Sequence, residues 1–153
     1  MRFQKINQVN KKYTTTSAQQ TQKLGEYFAR VIARSVVTKQ SKYATVLALH
    51  GNLGGGKTTF LQGFAKGLGV KEKILSPTFV IMKRFENFYH FDCYRINNPE
   101  DILELDWKKI ISDCKNIIAV EWPEKIEKFL PKNTIFIEFN FIDTDKRDII
   151  IYE

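Results

Sequence analysis

The chain has 153 residues, of which 43% are hydrophobic and 27% are charged. This length and composition are typical of a globular protein, so we expect residues 1–153 to form one domain with a buried core. No apolar run is long enough to cross a bilayer, which excludes a membrane-spanning helix and predicts a soluble protein.

All of the excess positive charge lies in residues 1–43, which contain nine Lys or Arg residues and one acid, whereas the whole chain has a net charge of +7. Such a segment is typical of a surface that binds RNA or an acidic partner, or of a solvated basic face. A transit peptide over residues 1–16 is the weaker alternative, because arginine is scarce there and Phe3, Ile6 and Val9 alternate as in a strand.

The two cysteines, Cys93 and Cys114, have no spacing typical of a zinc site. Two reduced thiols are typical of a cytoplasmic protein, and the N-terminus has no apolar core of a secretion signal. We therefore expect a cytoplasmic protein that has no membrane partner.

The first half of the chain predicts a helix, a strand, a tight loop and a second helix. A helix capped by Ser17 is expected over residues 17–35, with one buried face. The residues of that face recur at three- and four-residue spacing: Leu24, Tyr27, Phe28, Val31 and Ile32. The apolar run 45–49 predicts a central strand, and residues 57–68 predict a helix that Gly69 ends.

Two β-rich runs, residues 76–85 and 88–96, flank Glu86 and Asn87. This pattern predicts a hairpin that turns at those two residues. The dipeptide that follows, Asn98–Pro99, is typical of a helix start, with a cap and then a first-turn proline.

The last part of the chain predicts one buried strand over residues 116–120, ending at Glu121, and a hairpin formed by residues 134–141 and 147–153. Alternating strands and helices favour an α/β fold. We expect a P-loop NTPase-like three-layer domain with a mixed, largely parallel central sheet plus antiparallel hairpins.

The segment HGNLGGGKTTF, residues 50–60, fits the pattern GxxxxGK[ST] between a predicted strand and a predicted helix. In such a loop, backbone N–H groups surround the β-phosphate of a nucleotide, and the positive end of the helix adds to the attraction. The simpler alternative is a glycine-rich turn. The residues expected to bind nucleotide are Asn52, Leu53, Gly54, Gly55, Gly56, Lys57, Thr58 and Thr59.

Two side chains in this loop have specific expected roles. Lys57, expected on an exposed loop, would neutralise β- and γ-phosphate oxygens, and the Thr58 hydroxyl would coordinate Mg²⁺. The Thr59 hydroxyl is within reach of an α-phosphate, although an ordinary helix residue is the alternative.

Two acids end predicted strands and are candidates for the metal-side carboxylate that a P-loop needs: Asp92 and Glu121. Either is alternatively a polar strand end, and the residues leave open which one positions the attacking water. His50 and His90 are interpreted as structural, since each stands alone at a strand end.

The motifs GNLGGGKTTF, SPTF, HFDCYR and EWP stand in the order and spacing of the TsaE family, and the resemblance covers about residues 17–151. The resemblance implies a partner-dependent ATPase that uses ATP and Mg²⁺. Proteins of this family work with the TsaB and TsaD pair, which transfers a threonylcarbamoyl group to an adenosine beside the tRNA anticodon. Contact with tRNA would then be indirect, through the complex.

The resemblance also implies roles for individual residues. Lys57 and Thr58 bind nucleotide and metal, Asp92 lies in the magnesium shell, and Glu121 activates or positions water close to the metal. The catalytic set is thus Glu121, Lys57 and Asp92, and the metal set is Thr58, Asp92 and Glu121. Two further residues are implied in the site: Thr78, in a switch-like segment near the γ-phosphate, and Trp122, on the nucleotide or partner side.

Two positions depart from the family pattern. Many members have Asp where this chain has Asn52, and Ala or Ser where it has Gly55. The backbone does most of the phosphate binding, so Gly55 is expected to be tolerated, whereas Asn52 removes a carboxylate together with any role of its charge.

Two other classes of function compete with this interpretation. A small-molecule kinase shares the P-loop but needs arginines around the transferred phosphoryl group, and only Arg84, Arg95 and Arg147 follow the loop. A nucleotide-gated binding module without useful hydrolysis would use the same loop.

Overall fold

The computed structural model describes residues 11–38, 41–75 and 80–152. Within these ranges, seven strands form one mixed sheet: β1 (Lys11–Thr15), β2 (Thr45–His50), β3 (Met82–Phe85), β4 (Phe88–Asp92), β5 (Ile117–Glu121), β6 (Ile135–Phe141) and β7 (Arg147–Tyr152). Their order is β1-β7-β6-β2-β5-β4-β3. The four central strands, β6, β2, β5 and β4, are parallel, and the others pair antiparallel at the two edges. The predicted mixed, largely parallel sheet is therefore confirmed.

Helices cover both faces of this sheet. One face carries α1 (Ala18–Thr38) and α2 (Lys57–Gly67). The other carries the short α3 (Trp107–Ile111) and two 3₁₀ helices, Pro99–Leu105 and Pro123–Phe129. This arrangement has the three layers that the sequence predicts. No helix in the described part of the chain is long and apolar enough to cross a membrane.

The predicted N-terminal helix is confirmed, but its buried face differs from the prediction. The Ser17 hydroxyl accepts a hydrogen bond from the backbone N–H of Gln20 at 3.2 Å, as expected of a cap. Tyr27 and Val31, predicted to be buried, are 52% and 43% exposed. Ile32 is buried as predicted, and Leu24 and Phe28 are partly buried against the core. The other buried positions are Thr21, Gly25 and Ala29. Mostly small residues line this face because α1 lies very close to α2.

Gly63 in α2 allows this close approach. A Cβ atom at Gly63 would lie 1.9 Å from the carbonyl oxygen of Gln22 in α1. Gly25 in α1 has the same relation to α2, since a Cβ there would lie 2.1 Å from the carbonyl oxygen of Phe60. The two helices therefore make backbone contact, and their spacing depends on these glycines.

We expect Gly63→Ala to destabilise the protein, because backbone atoms cannot move aside as the end of a side chain can. Forced repacking of this kind costs about 1–3 kcal/mol or more, which exceeds the roughly 1 kcal/mol that alanine adds to helix propensity. Urea unfolding should show a lower midpoint than that of the unmodified chain. An unchanged midpoint would mean that α1 and α2 separate at little cost.

The second face of the sheet packs around Trp107. Its ring lies edge-on to Phe91 with 5.1 Å between centroids, and its indole N–H donates to the carbonyl oxygen of Phe129 at 3.1 Å. The predicted helix start at Asn98 is confirmed as a cap, since its side chain accepts from the backbone N–H of Glu100. The element that follows is a 3₁₀ helix.

The predicted hairpins are present with shorter strands. Glu86 and Asn87 form the turn, Phe85 pairs with Phe88, and Glu86 has a left-handed φ of 55°. The first strand starts only at Met82; residues 80–81 lie outside it, and residues 76–79 lie outside the described ranges. The final hairpin of β6 and β7 is confirmed.

Part of the basic N-terminal segment belongs to the sheet. Lys11 and Lys12 lie in β1, which pairs with β7, and the Lys12 ammonium is 2.8 Å from a carboxylate oxygen of Asp148. The predicted alternation of Phe3, Ile6 and Val9 lies outside the described residues.

The register of the parallel strands positions the candidate site. Leu49 at the end of β2 is paired with Glu121 at the end of β5, and Glu121 is paired with Asp92 at the end of β4. The carboxyl ends of these strands meet at one edge of the sheet, where ligands bind in open α/β folds. The loop that follows β2 opens onto the same edge.

Candidate functional site

The glycine-rich loop joins β2 to α2, as predicted. Gly56 caps α2 with φ 98°, a left-handed conformation that residues with a Cβ atom adopt only with strain. Gly51 has a different role: a Cβ atom there would lie 2.6 Å from the carbonyl oxygen of Phe139, so its absence lets the loop lie on β6. The first glycine of the motif therefore serves packing, and the last serves the turn into the helix.

Lys57 is the first residue of α2 and is only 6% exposed, so the predicted position on an exposed loop is wrong. Its ammonium group donates to the carbonyl oxygens of Gly51 and Asn52 and lies 4.7 Å from the centroid of the Trp122 ring. Burial lowers its pKa from the ordinary value, and the nearest carboxylates, that of Glu121 first, act in the opposite direction.

Asp92 and Glu121 lie side by side, as the strand ends predict. Asp92 is half-buried, and its Oδ1 accepts from the backbone N–H of Tyr94 at 3.1 Å. Burial raises the pKa of Asp92, and the neighbouring Glu121 carboxylate raises it further. Glu121 is deeper and only 3% exposed.

Both histidines contact carboxylates, which single positions in a sequence could not show. His90 is fully buried, and its Nε2 lies 2.8 Å from Oε2 of Glu121. Nδ1 of His50 lies 3.1 Å from Oε2 of Glu124. The sequence contained one signal for His90. Residues two apart in a strand share a face, so strand alternation places His90 beside Asp92.

A cavity of about 340 Å³ brings the predicted site residues together. Its lining contains Asn52, Leu53, Gly54, Gly55, Gly56, Lys57, Thr58, Thr59, Asp92, Glu121 and Trp122. The remaining predicted residue, Thr78, lies outside the described residues. Five lining residues were not predicted as site residues: Val80, Ile81, Tyr94, Arg95 and Arg147.

Trp122 forms one wall of this cavity with an unusual backbone. Its φ of 56° and ψ of 52° are left-handed, although it is not glycine and precedes Pro123. Its ring packs against Tyr94 with 5.0 Å between centroids. Residues with strained backbone conformations are enriched at functional sites, where the surrounding structure holds them in place.

Arg147, the first residue of β7, connects the last hairpin to the P-loop. Its guanidinium donates to the carbonyl oxygen of Gly54 at 3.2 Å and to three carbonyl oxygens of residues 143–146. Its Nε is buried and has no hydrogen-bond partner among the described residues. The Arg147 guanidinium therefore lies at the edge of the cavity away from Asp92 and Glu121. In the sheet, β6 and β7 lie on one side of β2, whereas β5 and β4, which carry the two acids, lie on the other side.

We expect Arg147→Ala to weaken nucleotide binding by about tenfold, since it removes several hydrogen bonds that hold the loop. Arg84→Ala is the matched control. Arg147 lies over the ring of Phe141, and Arg84 likewise lies over the ring of Tyr89 and donates to the backbone carbonyl of Glu86, but on the other edge of the sheet. Calorimetric titration with ATP measures both variants. Equal affinity of the Arg147 variant and the unmodified chain would show that the loop keeps its shape without Arg147.

The oxygen donors of the cavity are suitable for Mg²⁺. Among them are the Thr58 hydroxyl and the carboxylates of Asp92 and Glu121. Within residues 11–38, 41–75 and 80–152, no group of three or more His, Cys, Asp and Glu side chains could hold a metal. Mg²⁺ commonly takes one or two protein oxygens and completes its shell with phosphates and water, so these donors fit it.

Comparison with known proteins identifies relatives along most of the chain. Residues 15–149 match the family model "Threonylcarbamoyl adenosine biosynthesis protein TsaE". The tRNA threonylcarbamoyladenosine biosynthesis protein TsaE of Bacillus subtilis (strain 168) is 38% identical over 113 residues, which cover 71% of this chain and 70% of that protein. The protein of the same name from Treponema pallidum is 31% identical, over 76% of this chain and 88% of that protein.

A solved structure agrees with these matches. The crystal structure of YdiB from Bacillus subtilis superposes with a TM-score of 0.68 and 30% identity, covering 95% of this chain and 88% of that one. The family model matches residues 15–149, a range that contains the loop after β2, the sequence motifs and the central strands of the sheet. The chain belongs to the TsaE family.

Proposed function

We propose that this chain is a Mg²⁺-dependent ATPase that supports the formation of threonylcarbamoyladenosine in tRNA together with TsaB and TsaD. The observation that carries the proposal is the cavity in which a buried P-loop lysine, Lys57, faces two strand-end acids, Asp92 and Glu121. Family membership supports the pathway, since the relatives are named as tRNA threonylcarbamoyladenosine biosynthesis proteins. The cytoplasmic location and an indirect contact with tRNA stay predictions.

The P-loop binds the phosphates of ATP. Backbone N–H groups at the start of α2 and the positive end of that helix attract the phosphate oxygens. Lys57 is buried beside carboxylates, so a triphosphate that reaches it meets a cation with little competition from water. Thr58 and Asp92 would hold Mg²⁺, which would supply positive charge to the β- and γ-phosphates.

The two acids divide the remaining work. Asp92 is half-buried in the lining of the cavity and serves the metal. Glu121 is almost completely buried, so its carboxylate interacts strongly with a water molecule that attacks the γ-phosphate. Turnover is expected to be slow for the chain alone, because the family resemblance implies an ATPase that depends on its partners.

A small-molecule kinase is the alternative that one observation favours. Two of the three arginines that follow the P-loop, Arg95 and Arg147, line the cavity, so a lack of arginines no longer counts against phosphoryl transfer. The family match counts against it. A nucleotide-gated module remains the third outcome of the test.

ATP hydrolysis should be measured for the chain alone, with purified TsaB and TsaD, and with candidate small phosphoryl acceptors. Stimulation by the TsaB and TsaD pair is the expected result. A phosphorylated small product would support a kinase, and tight ATP binding without hydrolysis under any condition would support a nucleotide-gated module.

A further inference from the structure

His90 and Glu121 form a buried pair behind the cavity. Nε2 of His90 lies 2.8 Å from Oε2 of Glu121, and the two residues are 0% and 3% exposed. The residue beside His90 in β5 is Ala119, whose small side chain leaves room for the imidazole ring. Ala119 belongs to the core cluster that α2 packs against, so the pair lies on the sheet face that α2 covers.

The hydrogen bond has a defined direction when Glu121 is ionised. A carboxylate only accepts, so the hydrogen of the imidazole lies on Nε2. The other ring nitrogen, Nδ1, has no hydrogen-bond partner in the described part of the chain. The orientation of the ring is therefore determined by packing and by the single bond to Glu121.

Glu121 depends on this bond for its position. A buried carboxylate without a hydrogen-bond donor is costly, and among the described residues His90 supplies the hydrogen bond to this side chain. Oε2 is engaged on the buried side, while Glu121 also lines the cavity. With Oε2 engaged by His90, Oε1 is the oxygen left to interact with a molecule in the cavity.

We infer that His90 is a positioning residue for ATP hydrolysis, which holds the Glu121 carboxylate so that Oε1 faces the water that attacks the γ-phosphate. The inference rests on the proposed ATPase function, because it assigns a use to Glu121. A purely structural role would require only that the Glu121 carboxylate be buried. In the positioning role, the place of that carboxylate determines the rate of ATP hydrolysis.

Three substitutions of His90 separate these roles. The side-chain amide of His90→Gln can donate to Glu121 from nearly the same place, that of His90→Asn is too short, and His90→Leu removes the donor. Loss of a residue that orients a group in direct contact with the reacting atoms typically lowers activity by about 10- to 100-fold. We expect kcat, measured with TsaB and TsaD, to fall by this amount in the Leu and Asn variants and to recover in the Gln variant.

The binding of ATP should behave differently from kcat. His90 lies behind the cavity and does not line it, so the dissociation constant for ATP should stay unchanged in all three variants. Tyr152→Phe is the matched control, because Tyr152 also donates to a carboxylate, that of the partly buried Glu138, at 2.8 Å but outside the cavity. Its kcat should equal that of the unmodified chain.

A stability measurement tests the pair without any turnover. His90→Leu leaves a buried carboxylate unpaired, so the urea midpoint should fall; in a Glu121→Gln background the same change should lower it less. Failure of the proposed ATPase function would leave this coupling intact. Equal shifts in both backgrounds would overturn the pairing itself.

The inference on positioning is overturned if the Leu and Asn variants hydrolyse ATP at the normal rate, or if the Gln variant is as slow as the Asn variant. Should His90→Leu not fold, the comparison of Gln with Asn still decides, since both keep a polar side chain. Recovery in the Gln variant alone, with unchanged ATP affinity, supports it.

Discussion

Replacing Lys57 with alanine is expected to abolish tight binding of Mg·ATP while the fold is retained. Hydrogen bonds to charged groups contribute about 1.5–3 kcal/mol, so the affinity should fall by roughly ten- to a hundredfold. The structure strengthens the expectation, since Lys57 is buried against Glu121 and Asp92 and its removal leaves the site with acids facing the phosphates. Titration calorimetry with ATP and Mg²⁺ measures the effect.

Lys66→Ala is the matched control for this change. Lys66 lies in the same helix, but its side chain is 75% exposed and pairs with Glu26 in α1. Its removal should leave ATP affinity unchanged. Circular dichroism of both variants should be native, because alanine favours the helix. Normal ATP affinity in a folded Lys57→Ala protein would falsify the P-loop assignment.

The second large effect is expected for Glu121→Gln. Glutamine keeps the shape of the side chain and removes its charge, so ATP should still bind while hydrolysis falls by about a hundredfold or more. The interaction with the attacking water is worth most in the transition state, which is why kcat responds and binding does not. Such a variant should hold the ATP state and trap the complex with TsaB and TsaD.

Asp92→Ala is expected to act through the metal, whereas Glu121→Gln acts on hydrolysis. The Asp92 carboxylate is half-buried in the lining of the cavity, where it would hold Mg²⁺, so its loss should weaken metal-dependent nucleotide binding, or misplace the metal and slow turnover as well. Glu138→Gln controls for loss of a carboxylate in the sheet, because Glu138 is bonded to Tyr152 and lies outside the cavity. The two roles are reversed if Glu121→Gln hydrolyses ATP normally while Asp92→Ala binds Mg·ATP but cannot cleave it.

The sequence by itself determined the elements that depend on near neighbours. The pattern from Gly51 to Thr58 predicted a tight loop at the start of a helix, because its glycines and Lys57 act within a few residues of each other. The strand ends at Asp92 and Glu121 were predicted for the same reason, since an apolar run and the polar residue after it are local features. Parallel strands then bring those ends to one edge.

Only the tertiary structure determined which distant residues complete the cavity. Arg147 contacts Gly54 across 93 positions, and His90 contacts Glu121 across 31. The 6% exposure of Lys57 likewise depends on neighbours from other strands. These contacts follow from the strand order β7-β6-β2-β5-β4, which hydrophobic periodicity does not encode, because periodicity reports the face of an element that is buried and not the element that covers it.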